Sequence, residues 1–181
     1  MRPRLTASVV AVDVAALLVE LYDRLPPLVR HAVEGLTPEQ LVEQPAPGAN
    51  TIGWLIWHVA RVEDDHIADV MGVGQLWADG DWAARFGLEP DVKNLGYGHS
   101  AEQMAQVRPG SSDALIEYFD AVHARTVAWL AGLTAEDLDR VVDTRWDPPV
   151  TLGVRLVSVA DDSLQHVGQA AYVRGSLLDA T

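Results

Sequence analysis

Apolar residues recur at three- and four-residue spacing along four long stretches of the chain, and that spacing predicts helices. Val14, Leu17, Leu18, Leu21, Tyr22, Leu25 and Leu28 mark the first, over roughly Asp13 to Gly35. Pro26 and Pro27 should kink or break it, because an interior proline loses a hydrogen bond and clashes with the preceding turn. "LTPEQL" from Leu36 to Leu41 reads as a short helical turn capped by Thr37, with Pro38 at the first helical position. After the loop "EQPAPGANT", Asn50 or Thr51 can cap a second long helix from about Thr51 to Met71. "GSSDALIEYFDAVHARTVAWLAGL" is the third, with Leu115, Tyr118, Phe119, Val122, Val127 and Leu130 facing inward. "TAED" at Thr134 is a capping-box variant opening a short turn, and "WDPPVTLG" reads as an extended link. The fourth helix fills about Thr151 to Leu178.

Between the second and third helices the pattern lapses. Gly72 to Pro109 is rich in glycine and aromatic residues, with a short helix expected around Asp81 to Gly87. A connection of that length inside a compact domain is unusual, and such loops often carry function. The elements together predict an all-α fold: a four-helix bundle with a long irregular crossover between helices two and three, in a single domain over residues 1–181.

Composition narrows the function. The chain carries 13 basic and 26 acidic residues, a net charge of −13, with no basic block, so nucleic acid and anionic membrane surfaces are unsuited as partners. There is no cysteine, which removes disulfides, Cys-zinc sites and a cysteine nucleophile. "MRPRLTASVVAVDVAALLVELYDRL" has the basic start and apolar run of a signal peptide, but Asp13 and Glu20 interrupt it and it reads better as an amphipathic helix. With no apolar run long enough for a membrane span, a cytoplasmic location is expected. G-x-S-x-G, G-x-x-x-x-G-K-[ST] and H-E-x-x-H are all absent. The "EDD" run at Glu63 reads as a solvated face.

One constellation carries chemistry. Asp162 and His166 stand four apart on the fourth helix, hence on one face, where an oxygen and a nitrogen ligand can chelate one divalent ion. His58 sits in the apolar middle of the second helix, where a core histidine with one hydrogen bond is the plain alternative. Facing the fourth helix across the bundle, it would supply a third ligand and leave a fourth position open, as in catalytic rather than structural zinc sites.

"TIGWLIWHVARVEDDHIADVMG" and "DDSLQHVGQAAYVRG" resemble the DinB/YfiT-like superfamily, in particular its actinobacterial branch related to mycothiol-dependent maleylpyruvate isomerase. The resemblance runs from the first helix to Arg174 and includes "LWADGDWAARFGL" and "GYGHSAEQMAQVRPGS". It implies a divalent metal, Zn²⁺ or Ni²⁺, held by His58, Asp162 and His166. The family more often has Glu or His at the position of Asp162, whose carboxylate is one methylene shorter than that of Glu. The resemblance also implies an external low-molecular-weight thiol activated by the metal, a small-molecule electrophile as its acceptor, and a homodimer. Activity would then be thiol transfer to, or isomerisation of, the electrophile; a non-catalytic bundle that binds a ligand or partner through a degenerate site is the alternative. Arg61, Arg174 and Trp54 are candidate substrate contacts, although Arg61 could equally pair with the Glu63–Asp65 cluster and Trp54 could be core. Trp77 and Trp82 are candidate pocket walls, Gln169 a candidate partner for a ligand histidine, and His66 a spare near the surface. His31, His99 and His123 read as structural or exposed.

Overall fold

The computed structural model describes residues 13–179. The N-terminal twelve residues of the apparent signal-like stretch lie outside it. The first predicted helix is two helices, α1 (Val14–Tyr22) and α2 (Leu25–Val33). The break falls at Asp23–Arg24, which puts Pro26 and Pro27 in the first turn of α2, where a missing N–H goes unnoticed. α3 (Pro38–Leu41) carries the full capping box between Thr37 and Gln40. α4 (Ile52–Met71) is capped by Thr51, whose hydroxyl accepts from Trp54 N at 3.1 Å, and ends at Gly72 with φ +70°. The crossover follows, with a 3₁₀ turn at Leu76–Ala78, α5 (Trp82–Arg85) and α6 (Ala101–Met104). α7 (Ser112–Leu130) and α8 (Leu152–Asp179) complete the bundle. α4 and α2 each pack against both α7 and α8. Among the described residues, no helix is long and apolar enough to cross a membrane.

The link before α8 differs from expectation. It contains a small antiparallel hairpin, β1 (Val141–Asp143) with β2 (Val150–Thr151), irregular between Val141 and Asp143. Strands this short show no alternating pattern for a sequence to reveal. Thr134 and Asp137 do form the predicted cap, each backbone N–H donating to the other's side chain.

The "EDD" run is not a solvated face. Glu63 and Asp64 are fully buried, because α4 is wrapped on nearly every side by α7, α8 and the crossover. Asp64 accepts from the N–H groups of Leu76 (2.9 Å) and Trp77 (2.8 Å), from Tyr118 OH (2.7 Å) and from Arg125 Nη2 (2.5 Å). Its charge is therefore satisfied, as burial requires. Glu63 is different: neither carboxyl oxygen has a hydrogen-bond partner. Thr126 Oγ1 donates instead to Val122 O at 3.1 Å, and His123 Nδ1 lies 3.9 Å away.

Desolvation, with the neighbouring Asp64 charge, raises the Glu63 pKa from 4.5 to about 7, against the opposing pull of the Arg125 charge. A raised carboxyl lets the unfolded chain ionise first, so stability falls as pH rises from 4.5 to about 7 and is level above that. The loss amounts to about 3 kcal/mol. Glu63→Gln should remove this contribution, so that the change in urea unfolding free energy from pH 5 to pH 8 is more negative in the wild type than in the variant, the histidines of lowered pKa contributing equally to both.

Candidate metal centre

His58 Nδ1 faces the carbonyl of Leu95 in the crossover. A carbonyl only accepts, so Nδ1 carries the proton and Nε2 is left as a lone pair. Burial, the strongest influence, lowers the His58 pKa below its ordinary value, against the Leu95 carbonyl and Asp162, which raise it. A neutral imidazole with a fixed tautomer is the form that binds a metal ion. The ring is also clamped by Trp54, stacked on it at 4.8 Å and 11°. Trp54 Nε1 donates to His99 Nδ1 at 3.1 Å, and His99 Nε2 meets Asn94 Oδ1 at 2.8 Å.

His58 Nε2 points at α8. Asp162 Oδ2 lies 3.8 Å from it and 3.5 Å from His166 Nδ1, and the His58 and His166 rings are 4.8 Å apart. One potential ligand atom from each of the three residues falls within 4.8 Å of the others. His166 Nδ1 donates to the carbonyl of Asp162 at 2.8 Å, one turn back, so this ring also presents Nε2. Ligands about 2.1 Å from a tetrahedral ion stand about 3.4 Å apart, and the 3.8 Å between His58 Nε2 and Asp162 Oδ2 is near that spacing. Asp162 Oδ2 is buried and has no hydrogen-bond partner. An orphaned carboxylate oxygen between two histidines is the donor set a divalent cation completes. Asp162, although one methylene shorter than Glu, places its Oδ2 3.8 Å from His58 Nε2.

Gly96 makes this approach possible. At φ +91°, a Cβ there would stand 2.9 Å from Trp54 Cζ2 and 3.0 Å from His58 Nδ1. Gly96→Ala should therefore displace the Leu95 carbonyl and weaken any divalent-metal binding at the triad by roughly 10–100-fold, the usual effect of losing an outer partner; competition with a chromophoric chelator measures it.

A cavity of about 600 Å³ opens beside His58 and Asp162, in the range of small-ligand sites. Its walls come from Leu95 and Tyr97 of the crossover, from α8, and from the hairpin segment through Asp143, Arg145, Trp146 and Val150. Trp77 and Trp82 are not part of it: Trp77 is core, packed on Phe86 and Tyr118, and Trp82 sits against Tyr118. His66 does line it, with Arg155 Nη1 donating to its Nδ1 at 2.9 Å. Arg155 also pairs with Asp143 at 3.2 Å, which ties the hairpin to α8.

The other candidates are placed elsewhere. Arg61 is fully buried and pairs with Asp64 at 3.3 Å, so its guanidinium serves the interior rather than a substrate. It reaches Tyr118 OH (3.2 Å), Gln75 Oε1 (2.8 Å) and the carbonyls of Val92 (3.0 Å) and Asn94 (3.2 Å). Arg174 donates to the carbonyl of Ala32 at 3.4 Å, near the end of α2. Gln169 is exposed and lines a separate groove of about 670 Å³ in which, among the described residues, Tyr172 is the one ionisable side chain.

The family model for the DinB superfamily matches residues 21–170. The chain belongs to the DinB superfamily. Its fold agrees: a crystal structure described as the conserved protein of locus from Enterococcus faecalis is 32% identical, with a TM-score of 0.85 over 93% of this chain and 99% of that one. YfiT from Bacillus subtilis, described as a probable metal-dependent hydrolase with an unusual four-helix bundle topology, is 18% identical, with a TM-score of 0.60 over 96% of this chain and 91% of that one. None of the curated proteins is similar enough to count as a relative. Within this DinB fold, sequence reasoning overlooked Leu95, Gly96, the hairpin and Arg155. Of these, only the glycine-rich "NLGYGHS" carried a visible signal.

Proposed function

We propose that this DinB protein is a metal-dependent enzyme that holds Zn²⁺ or Ni²⁺ on His58, Asp162 and His166. In this reading it directs an external thiol of the mycothiol type onto a small electrophile, by transfer or isomerisation, as in the actinobacterial branch. The observation that carries it is the convergence of the three side chains, with Asp162 Oδ2 unpartnered, on the wall of a cavity. A divalent ion there supplies charge that lowers the pKa of a bound thiol or water. Two neutral histidines and one carboxylate leave such a site with net positive charge, which favours an anionic nucleophile. The absence of any cysteine means that no internal thiol competes.

The description of YfiT as a metal-dependent hydrolase favours a second reading, with water as the nucleophile. Both are tested on zinc- or nickel-loaded protein with two substrates: 1-chloro-2,4-dinitrobenzene with added thiol, and p-nitrophenyl acetate without it. Thiol-dependent, metal-dependent turnover of the first supports the leading reading. Hydrolysis of the second alone supports water. Turnover of neither leaves a metal-holding bundle that binds without catalysis.

A further inference from the structure

Large apolar side chains exposed singly on a surface need no explanation, but a group of them at one site does. Tyr97 is 95% exposed, Trp146 66% and Val154 53%, and all three line the cavity that contains His58 and Asp162. They come from three separate elements: the crossover, the hairpin and α8. Val62 and Val150 extend the same wall.

The hairpin segment is held in place. Asp143, 7% exposed, takes Arg145 Nε and Nη2 at 2.9 and 2.8 Å and Arg155 Nη2 at 3.2 Å. Trp146 therefore follows Arg145, which is held through two donors on Asp143, and Asp143 is held in turn by Arg155 of α8. An indole kept beside a metal triad without burying itself in the core is poised for a ligand. The charges at the rim are largely paired: Arg145 and Arg155 share the carboxylate of Asp143, and Arg155 also stands 4.0 Å from Asp69, so an ion on the triad would add positive charge there.

On the reading of the site as metal-dependent, we infer that the electrophile is an amphiphile with an aryl or branched-alkyl body. Its polar or anionic end faces the triad and its apolar body lies between Tyr97 and Trp146. A highly hydroxylated substrate would leave that wall in water and gain nothing from it.

The test uses the full chain and 2-naphthoate, with acetate as the control lacking the apolar body. Six tryptophans give six indole N–H signals in a ¹H–¹⁵N spectrum, and Trp146→Phe assigns the relevant one. In the metal-free protein, 2-naphthoate should shift the Trp146 signal and acetate should not. Trp146→Ala should weaken 2-naphthoate binding by on the order of tenfold. No shift at Trp146, or a shift confined to other indoles, overturns the inference whatever the metal does. So does a Trp146 signal that moves with protein concentration but not with 2-naphthoate, which assigns the wall to a second copy of the chain. Adding Zn²⁺ should then tighten 2-naphthoate binding. A shift at Trp146 with no tightening keeps the apolar wall and counts against the metal reading alone.

Discussion

Zn²⁺ binding should be lost when His58 becomes alanine. In the proposed site the side chain is one of three candidate ligands among the described residues, and it is the one delivered from α4 rather than α8. Its removal leaves Asp162 and His166, an i, i+4 pair on a single helix, partly open to solvent. Losing an outer partner of a ligand histidine costs roughly 10–100-fold in affinity, so losing the ligand itself should exceed 100-fold. Equilibrium dialysis with metal analysis measures it directly. His166→Ala should behave alike, whereas Arg174→Ala should bind as the wild type does, since that arginine sits near the end of α2. Equal affinity in wild type and His58→Ala would remove the triad as the metal site.

Arg61→Ala should lower stability by roughly 3–5 kcal/mol, the range for breaking a buried ion pair. For a chain of this size that is a fall in melting temperature of roughly 6–20 °C. The reason is the number of groups that depend on one guanidinium. It joins Asp64 and Tyr118 to Gln75, Val92 and Asn94 in the crossover, and it stacks on Trp77 at 4.8 Å. Removal takes a donor from the buried Asp64 and Tyr118 and from two partly buried carbonyls, and it leaves a void. Arg61→Lys should recover little, because an ammonium cannot reproduce the planar fork. Asn94 precedes the Leu95 whose carbonyl orients His58, so the same variant should also bind Zn²⁺ more weakly while still folded at low temperature. Thermal denaturation followed by circular dichroism, with metal binding measured at 10 °C, separates the two effects. A melting temperature within 2–3 °C of wild type would mean that the crossover is held by other contacts.

Local pattern carried most of the helices. The caps at Thr37, Thr51 and Thr134 and the core face of α7 follow from spacing that any single helix displays. The break in the first helix was legible as a proline effect but not in position, because Pro26 and Pro27 are harmless in a first turn and the chain uses them there. The short hairpin escaped notice because three- and two-residue strands are defined by their partner rather than by themselves.

For the site, the sequence by itself determined the three candidate ligands. Asp162 and His166 share a face by helical geometry, and His58 stands out as an ionisable group among apolar neighbours. Only the tertiary structure decided that they meet. It also decided which nitrogen of His58 is free, since that depends on a carbonyl 37 residues away in a segment without periodicity. Arg61 and the "EDD" run show the limit most clearly. A charge on a helix reads as solvent-facing until the whole bundle closes around it, and burial is a property of all the elements at once. The cavity wall has the same origin: Tyr97, Trp146 and Val154 become neighbours only when three distant segments pack beside one triad.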